Sequence, residues 1–438
     1  MQKHAGVDCV AVADHVAAAM PLSKSLFEDL AQHTRGEAGI TRAPYGEGEQ
    51  YAYRLITECA ERLGLATGWD AAGNLYVTAE GTDTSAPVVM IGSHLDSVPN
   101  GGNFDGAAGV IAGIAVLDAF ARAGFKPKRS VTVMAIRGEE AGSWFSGVHG
   151  GHLGSRMALG LIDPTELDTA VRIDSGRTLG EHIRECGYAP DRVKGGPRHL
   201  DPAHIRCYLE LHIEQGPVLE MKHLPVGVVN SIRGNSRLRD ARCLGAYNHG
   251  GATPQDVRQD AVIATSQLVL GVDRKWKELH AAGRDLIFTF GKVYTDAAVH
   301  SLSKVPGEMK FSLDMRSGDP EVLGVMREFV LEEAARVAAE RRVTFDLGKY
   351  SITQPTVLDP RMRASLQKGC EALGIASMDM ASGGGHDAQE FTRAGIASAM
   401  VFVRNANGSH VAEEQMAMAD FEAGTRVLAW TAATEASA

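Results

Sequence analysis

The chain lacks an excess of positive charge, a long apolar run and a cysteine pattern, and each absence removes a class of function. Lys and Arg number 44 against 54 Asp and Glu, a formal charge of −10 over 438 residues. Nothing in that balance suits a phosphate backbone, so nucleic acid is excluded as a partner. No apolar stretch approaches the roughly 18 residues of a membrane span, and mean hydropathy is −0.11. Asp8 and Asp14 interrupt the apolar residues near the start, which therefore do not read as a secretory signal. The six cysteines (Cys9, Cys59, Cys186, Cys207, Cys243, Cys370) contain no CxxC pair, which argues against a disulfide framework and a thiolate zinc site. A cytoplasmic protein is expected. No internal repeat is visible, and the Ala-rich C-terminal tail reads as frayed.

What the sequence does have is glycine, unevenly spread. Dense patches lie at Gly101–Gly113, Gly147–Gly154 and Gly383–Gly385, each beside histidines or acids. Glycine serves where backbone turns sharply or approaches something closely. Short apolar runs at Val88–Gly92, Val131–Ile136, Cys207–Ile213 and Ser398–Val403 read as buried strands, and Gly109–Gly124 as a helix buried nearly all round. Strands separated by helices imply an α/β domain, a mixed, mostly parallel sheet flanked by helices. The pattern changes after Gly227. A helix is expected over Asp256–Ala282, entered through Thr253-Pro254. Lys310–Ser317 alternates, with Phe311, Leu313 and Met315 on one face and Arg316 on the other. Asp319-Pro320 then starts a helix to about Arg342. This predicts a smaller α+β domain at 230–345, inserted into a discontinuous domain of residues 1–229 plus 346–438, with the α/β pattern resuming near Thr344.

The ligand-capable residues fall where such a sheet presents its functional ends. His94 follows the first strand, Asp105 lies in the glycine loop, Glu139 and Glu140 follow the second strand, His212 closes the third and His410 follows the last. Ligands of open α/β sheets bind beyond the carboxyl ends of the strands. Three imidazoles and two carboxylates, one able to bridge, suit a two-metal site. A lone histidine at a strand end is more often structural, but Asp96 stands two residues from His94 as a partner able to fix its tautomer. Adjacent acids such as Glu139 and Glu140 repel unless a cation is present. The two histidines of His149-Gly150-Gly151-His152 read as members of a solvated loop. His386 either binds a ligand or braces its glycine loop.

The runs GSHLDSVPNGGNFDGAAGV, RGEE, HIEQGPVLE, NHGGATPQDVRQDA, SLDMRS, SGGGHDA and the final GSH, in that order from 94 to 410, resemble the hydantoinase/carbamoylase-type amidases of the M20 metallopeptidase superfamily. That group includes N-carbamoyl-L-amino-acid hydrolases, allantoate amidohydrolases and β-ureidopropionases. The resemblance implies that His94 and His212 hold one metal, Glu140 and His410 the other, and that Asp105 bridges. It makes Glu139 the general base on the attacking water. Gln215 would contact substrate, Arg316 would clamp its carboxylate, and Gly385 would offer it backbone. His249 would reach the active site of a partner subunit from the inserted domain, which would act as lid and dimerisation domain, and there polarise the scissile carbonyl. The alternation of Lys310–Ser317 agrees, since it sets Arg316 on a polar face where a guanidinium can meet a carboxylate bidentately.

The expected protein is thus a homodimeric metal-dependent amidohydrolase with two divalent ions per subunit, zinc first, with manganese, cobalt or nickel also suited to the donors. Its substrate would be an N-carbamoyl amino acid or related ureido acid, alternatively allantoate. A dipeptidase or aminoacylase of the same superfamily would release no ammonia, and a binding descendant without activity would hold no metal. The sequence departs from the family around the substrate. AVHSLSKVPG offers His300, Ser301 and Ser303 in place of the family's asparagine, GSWFSGVHGG carries an unusual tryptophan, and SGGGHDA has an extra glycine.

Overall fold

The structure is a computed structural model that describes residues 8–438; residues 1–7, part of the expected stretch 1–229, lie outside the described residues. The chain divides into two compact units, one of residues up to Asn230 plus Leu358–Ala438, the other Ser231–Val357.

The main-sheet strands of the first unit are β1 (Ala66–Trp69), β2 (Leu75–Ala79), β3 (Val88–His94), β4 (Val131–Ile136), β5 (Ile205–Ile213), β6 (Val226–Ile232), β7 (Ser377–Ser382) and β8 (Ser398–Val403). They lie in the order β1-β2-β4-β3-β5-β8-β6, with β7 also on β6. The inner four, β4, β3, β5 and β8, are parallel, and β2 and β6 flank them antiparallel. Every residue of β4 and β8 is buried, as a strand covered on both faces requires.

The helix Ala107–Arg122 is buried along almost its whole circumference and packs on β3 and β5. Its glycines permit that: a Cβ on Gly109 would stand 2.3 Å from the Leu211 carbonyl oxygen and 2.5 Å from Ser93 Cβ. The Ala-rich tail is not frayed. It is the helix Met418–Ser437, with Ala429, Ala432, Ala433 and Ala436 fully buried against the helices Ala107–Arg122 and Pro360–Leu373. Small side chains there serve close approach to a neighbouring helix.

The second unit pairs Gly234–Leu244 with Glu308–Ser317 antiparallel, with Ile287–Thr289 outside the latter. Thr344–Asp346 and Ser351–Thr353 both add to Gly234–Leu244, so the unit runs past the expected boundary at 345, and the α/β pattern resumes only after Val357. Met309, Phe311, Leu313 and Met315 are buried in alternation under the helices Ala261–Ala281 and Pro320–Arg341. The first of these starts later than expected at 256. Pro254 opens a separate 3₁₀ turn, Gln255–Val257, and the Asp260 carboxylate then caps the N–H groups of Val262 and Ile263. No helix among the described residues is long and apolar enough to cross a membrane.

Gly109→Ala tests the helix-on-sheet contact. The added methyl meets backbone that cannot yield, so unfolding free energy should fall by about 1–3 kcal/mol and the thermal midpoint by a few degrees. An unchanged midpoint would show that the helix stands farther off the sheet.

Candidate metal centre

The four parallel strands end on one edge and deliver the ligand-capable residues together. His94 is the last residue of β3. After β4, Gly138 takes a left-handed conformation and the chain enters a 3₁₀ turn, Glu139–Ser143. His212 lies near the end of β5, and the loop after β8 brings His410 back at φ +62.

Asp105 is the centre, 3% exposed. Its Oδ1 lies 3.1 Å from His212 Nε2 and 3.9 Å from His94 Nε2. Its Oδ2 lies 3.1 Å from His410 Nε2, which in turn is 2.9 Å from Glu140 Oε1. His94 Nδ1 faces the Asp96 carbonyl oxygen at 3.0 Å and His212 Nδ1 that of Ile213 at 2.9 Å. A carbonyl only accepts, so both Nδ1 atoms carry hydrogen and both Nε2 atoms turn toward Asp105. Gln215, at φ +62, donates its amide to both Asp105 oxygens at 3.2 and 3.1 Å. Glu139 belongs to neither donor group: its Oε2 is 3.9 Å from His94 Nε2, and its Oε1 is 3.0 Å from Nδ1 of His152.

A surrounding set of residues, none singled out by the sequence except Asp96, fixes this arrangement. The Asp96 carboxylate accepts the N–H of Glu139 at 3.1 Å and of Glu140 at 2.9 Å, and its Oδ1 lies 3.4 Å from His94 Nδ1. Glu414 accepts the N–H of Phe104 and Asp105, and the Ser409 hydroxyl lies within reach of both Asp105 and Glu414. Fully buried Arg42 donates to the Leu95 carbonyl and to Asn103 Oδ1, pinning both ends of the Asp105 loop.

Burial would raise Asp105, but His212, His410 and His94 hold it well below the usual carboxylate range. Burial drives Glu140 up to about 7, with Glu139 and Asp105 adding to it and His410 opposing. The carboxylates of Asp105 and Glu140 raise His410 to about 11. Glu139 would also be raised by burial, yet His152, His94 and His386 bring it to about 2.

This donor set fits divalent cations. His94, Asp105 and His212 form one group and Asp105, Glu140 and His410 another, with the donor atoms of each within 4.8 Å of one another. Ligands about 2.0–2.2 Å from a tetrahedral ion stand about 3.3–3.6 Å apart, inside the 2.9–3.9 Å spread seen here. All these residues belong to the first unit.

The remaining singled-out residues lie elsewhere. His152 is buried, not solvated as expected, because its ring packs against Glu139; His149 is exposed. His386 is buried, with Nε2 at 2.8 Å from Ser382 Oγ, which also binds Gly384, so it braces the glycine loop. Gly385 is exposed on that loop. In the second unit, Arg316 meets Asp314 Oδ2 through Nη2 at 3.0 Å. His249 is exposed, and its Nδ1 accepts the N–H of Ala252 at 3.0 Å. His300 is also exposed, on Thr295.

The profile described as Peptidase family M20/M25/M40 matches residues 90–434. The chain belongs to this family. It is 33% identical to an N-carbamoyl-L-amino-acid amidohydrolase of Paenarthrobacter aurescens over 92% of this chain and 94% of that one. It is equally, 33%, identical to an allantoate amidohydrolase of Escherichia coli over 89% of this chain and 92% of that one. The crystal structure of a hydantoinase/carbamoylase family amidase from Burkholderia multivorans superposes with a TM-score of 0.86 at 27% identity, covering 96% of this chain and 98% of that one. Within the M20 family the chain is therefore a hydantoinase/carbamoylase-type amidase, and the family is metal-dependent.

With Glu140 raised to about 7 and His410 to about 11, both carry protons in the metal-free protein at pH 6. A cation binding there must displace them. Affinity of chelator-stripped protein for Mn²⁺ should therefore rise from pH 5.5 to 7, by about tenfold per pH unit for each proton displaced. Calorimetric titration in buffers of different ionisation enthalpy measures the release. An affinity flat across that range would mean that these groups are not ligands.

Proposed function

We propose that this chain is a two-metal amidohydrolase that cleaves the ureido or amide C–N bond of an N-carbamoyl amino acid or a related ureido acid. One observation carries the reading. The two oxygens of Asp105 face separate donor groups, while Glu139 stands beside them and joins neither. His94 and His212 would hold one ion, Glu140 and His410 the other, and Asp105 both. Zinc suits these donors best, and manganese, cobalt or nickel also fit. When bound, such ions supply Lewis acidity to the substrate carbonyl and the attacking water.

Glu139 takes the proton from the attacking water as its oxygen bonds to the carbonyl carbon, then returns it to the nitrogen as the C–N bond breaks. An N-carbamoyl amino acid would yield amino acid, carbon dioxide and ammonia. Because Nδ1 of His249 accepts from Ala252, its Nε2 carries hydrogen and can donate to the developing oxyanion. This supports its role in a partner's active site, within a homodimer formed through the second unit acting as lid and dimerisation domain. Arg316 would bind the substrate carboxylate, in competition with Asp314, while Gln215 and Gly385 line the substrate. The two named relatives are equally similar, so the proposal stops at ureido acids. A cytoplasmic location suits such a substrate.

Glu139→Gln should keep both metals and lose about 10²–10⁴-fold in turnover. Glu140→Gln should lose the second metal, and activity with it. Metal content and ammonia release measured together decide: near-normal turnover in Glu139→Gln removes the general base, and metal loss there with retention in Glu140→Gln reverses the roles. Light scattering should give twice the 46.6 kDa chain mass. A fully active monomer would remove the trans role of His249.

A further inference from the structure

The segment His149-Gly150-Gly151-His152 has no part in the mechanism above, yet three observations set its second histidine apart. The backbone here runs directly against the segment leaving β4. The N–H groups of His152, Leu153 and Gly154 donate to the carbonyls of Glu139, Gly138 and Arg137 at 2.9, 3.1 and 2.7 Å. Only glycine permits this approach, since a Cβ on Gly151 would stand 2.0 Å from the Glu139 carbonyl oxygen and one on Gly154 2.3 Å from Asn74 Oδ1. Next, His152 is held at φ +59, a left-handed conformation that disfavours most side chains by about 1–3 kcal/mol and that glycine or asparagine adopts readily. Last, the His152 side chain is 11% exposed and its ring touches Glu139: Nδ1 is 3.0 Å from Oε1. The contact is short without meeting the geometry of a hydrogen bond, so the ring restrains the carboxylate through close polar contact. The other face of the ring is closed by Gly385, where a Cβ would stand 2.9 Å from Nε2, and Asp387 Oδ1 lies 3.9 Å from Nδ1. His149, by contrast, is exposed, and its backbone N–H donates to Glu166.

We infer that His152 is the positioning residue for Glu139, fixing Oε1 so that Oε2 is the oxygen presented to the attacking water. The inference rests on the reading of Glu139 as general base. His152 neither gains nor loses a proton in the cycle. Oε2 takes the water proton and returns it to the leaving nitrogen, while the ring keeps the carboxylate from rotating between the two transfers.

The test compares His152→Gly and His152→Asn, both of which accept a positive φ. Asparagine alone restores an N–H close to the place of Nδ1. The metal-loaded enzyme carrying His152→Gly should lose about 10- to 100-fold in kcat, the scale of a misplaced catalytic group, with KM changed less than about twofold. His152→Asn should recover most of that loss. Added to Glu139→Gln, His152→Gly should slow the enzyme no further, because the group it positions is gone. Wild-type kcat in His152→Gly, equal losses in both variants, or a further loss in the Glu139→Gln background would each overturn the inference. So would fewer than two metals or a lowered thermal midpoint in His152→Asn, which would make the residue a structural brace. Near-normal turnover in Glu139→Gln would instead overturn the general-base reading itself, whatever the His152 variants do.

Discussion

A carboxylate buried away from water must be compensated, and the first unit is arranged around compensating Asp105. An uncompensated buried anion is among the most destabilising features that a fold can contain. Here the partners arrive from three stretches of chain: His94 from β3, His212 from β5 with Gln215 just after it, and His410 and Ser409 from the loop after β8, where Glu414 also holds the Asp105 backbone. They converge only because four parallel strands end on one edge. The same demand suits the site to a divalent cation. With Glu140 and Glu139 added, three carboxylates share one buried site, and burial, with its acidic neighbours adding to it, raises Glu140 to about 7.

Much of this was legible in the sequence, for reasons of scale. Buried strands announce themselves in six residues, so β4 and β8 fall where their apolar runs lie, and the alternation of Lys310–Ser317 gives both the buried face and the place of Arg316. The candidate donors of the site were legible because His and acidic residues sit at strand ends. What escaped was decided by contacts distant in sequence. Alanine is ambiguous between a loose tail and a tight helix contact, and only the packing of Ala432 and Ala433 resolves it. Thr344–Asp346 looks like a return to the first unit until its pairing with Gly234–Leu244 is seen. Arg42 and Glu414 carry no local signal at all, and His152 resembled a surface loop because its glycines serve close approach as readily as flexibility.

Asp96 gives the centre its stiffness. One carboxylate receives the N–H groups of both Glu139 and Glu140 and lies beside the His94 ring, so three functional groups share one anchor. In the second unit, by contrast, His249 and Arg316 are held by short local contacts within a few residues of themselves.

The strand order also bears on how the protein is made. β8 lies between β5 and β6, and the chain reaches it only after the whole second unit has been synthesised. Until then β5 has an open edge, a template for pairing with another chain. The second unit has its own core and is complete before β8 emerges, so it is free to fold first while the sheet that flanks it in sequence waits. A ribosome-bound chain stalled short of Ser398 would therefore hold a folded insert within an unfinished sheet, a species for which chaperones exist.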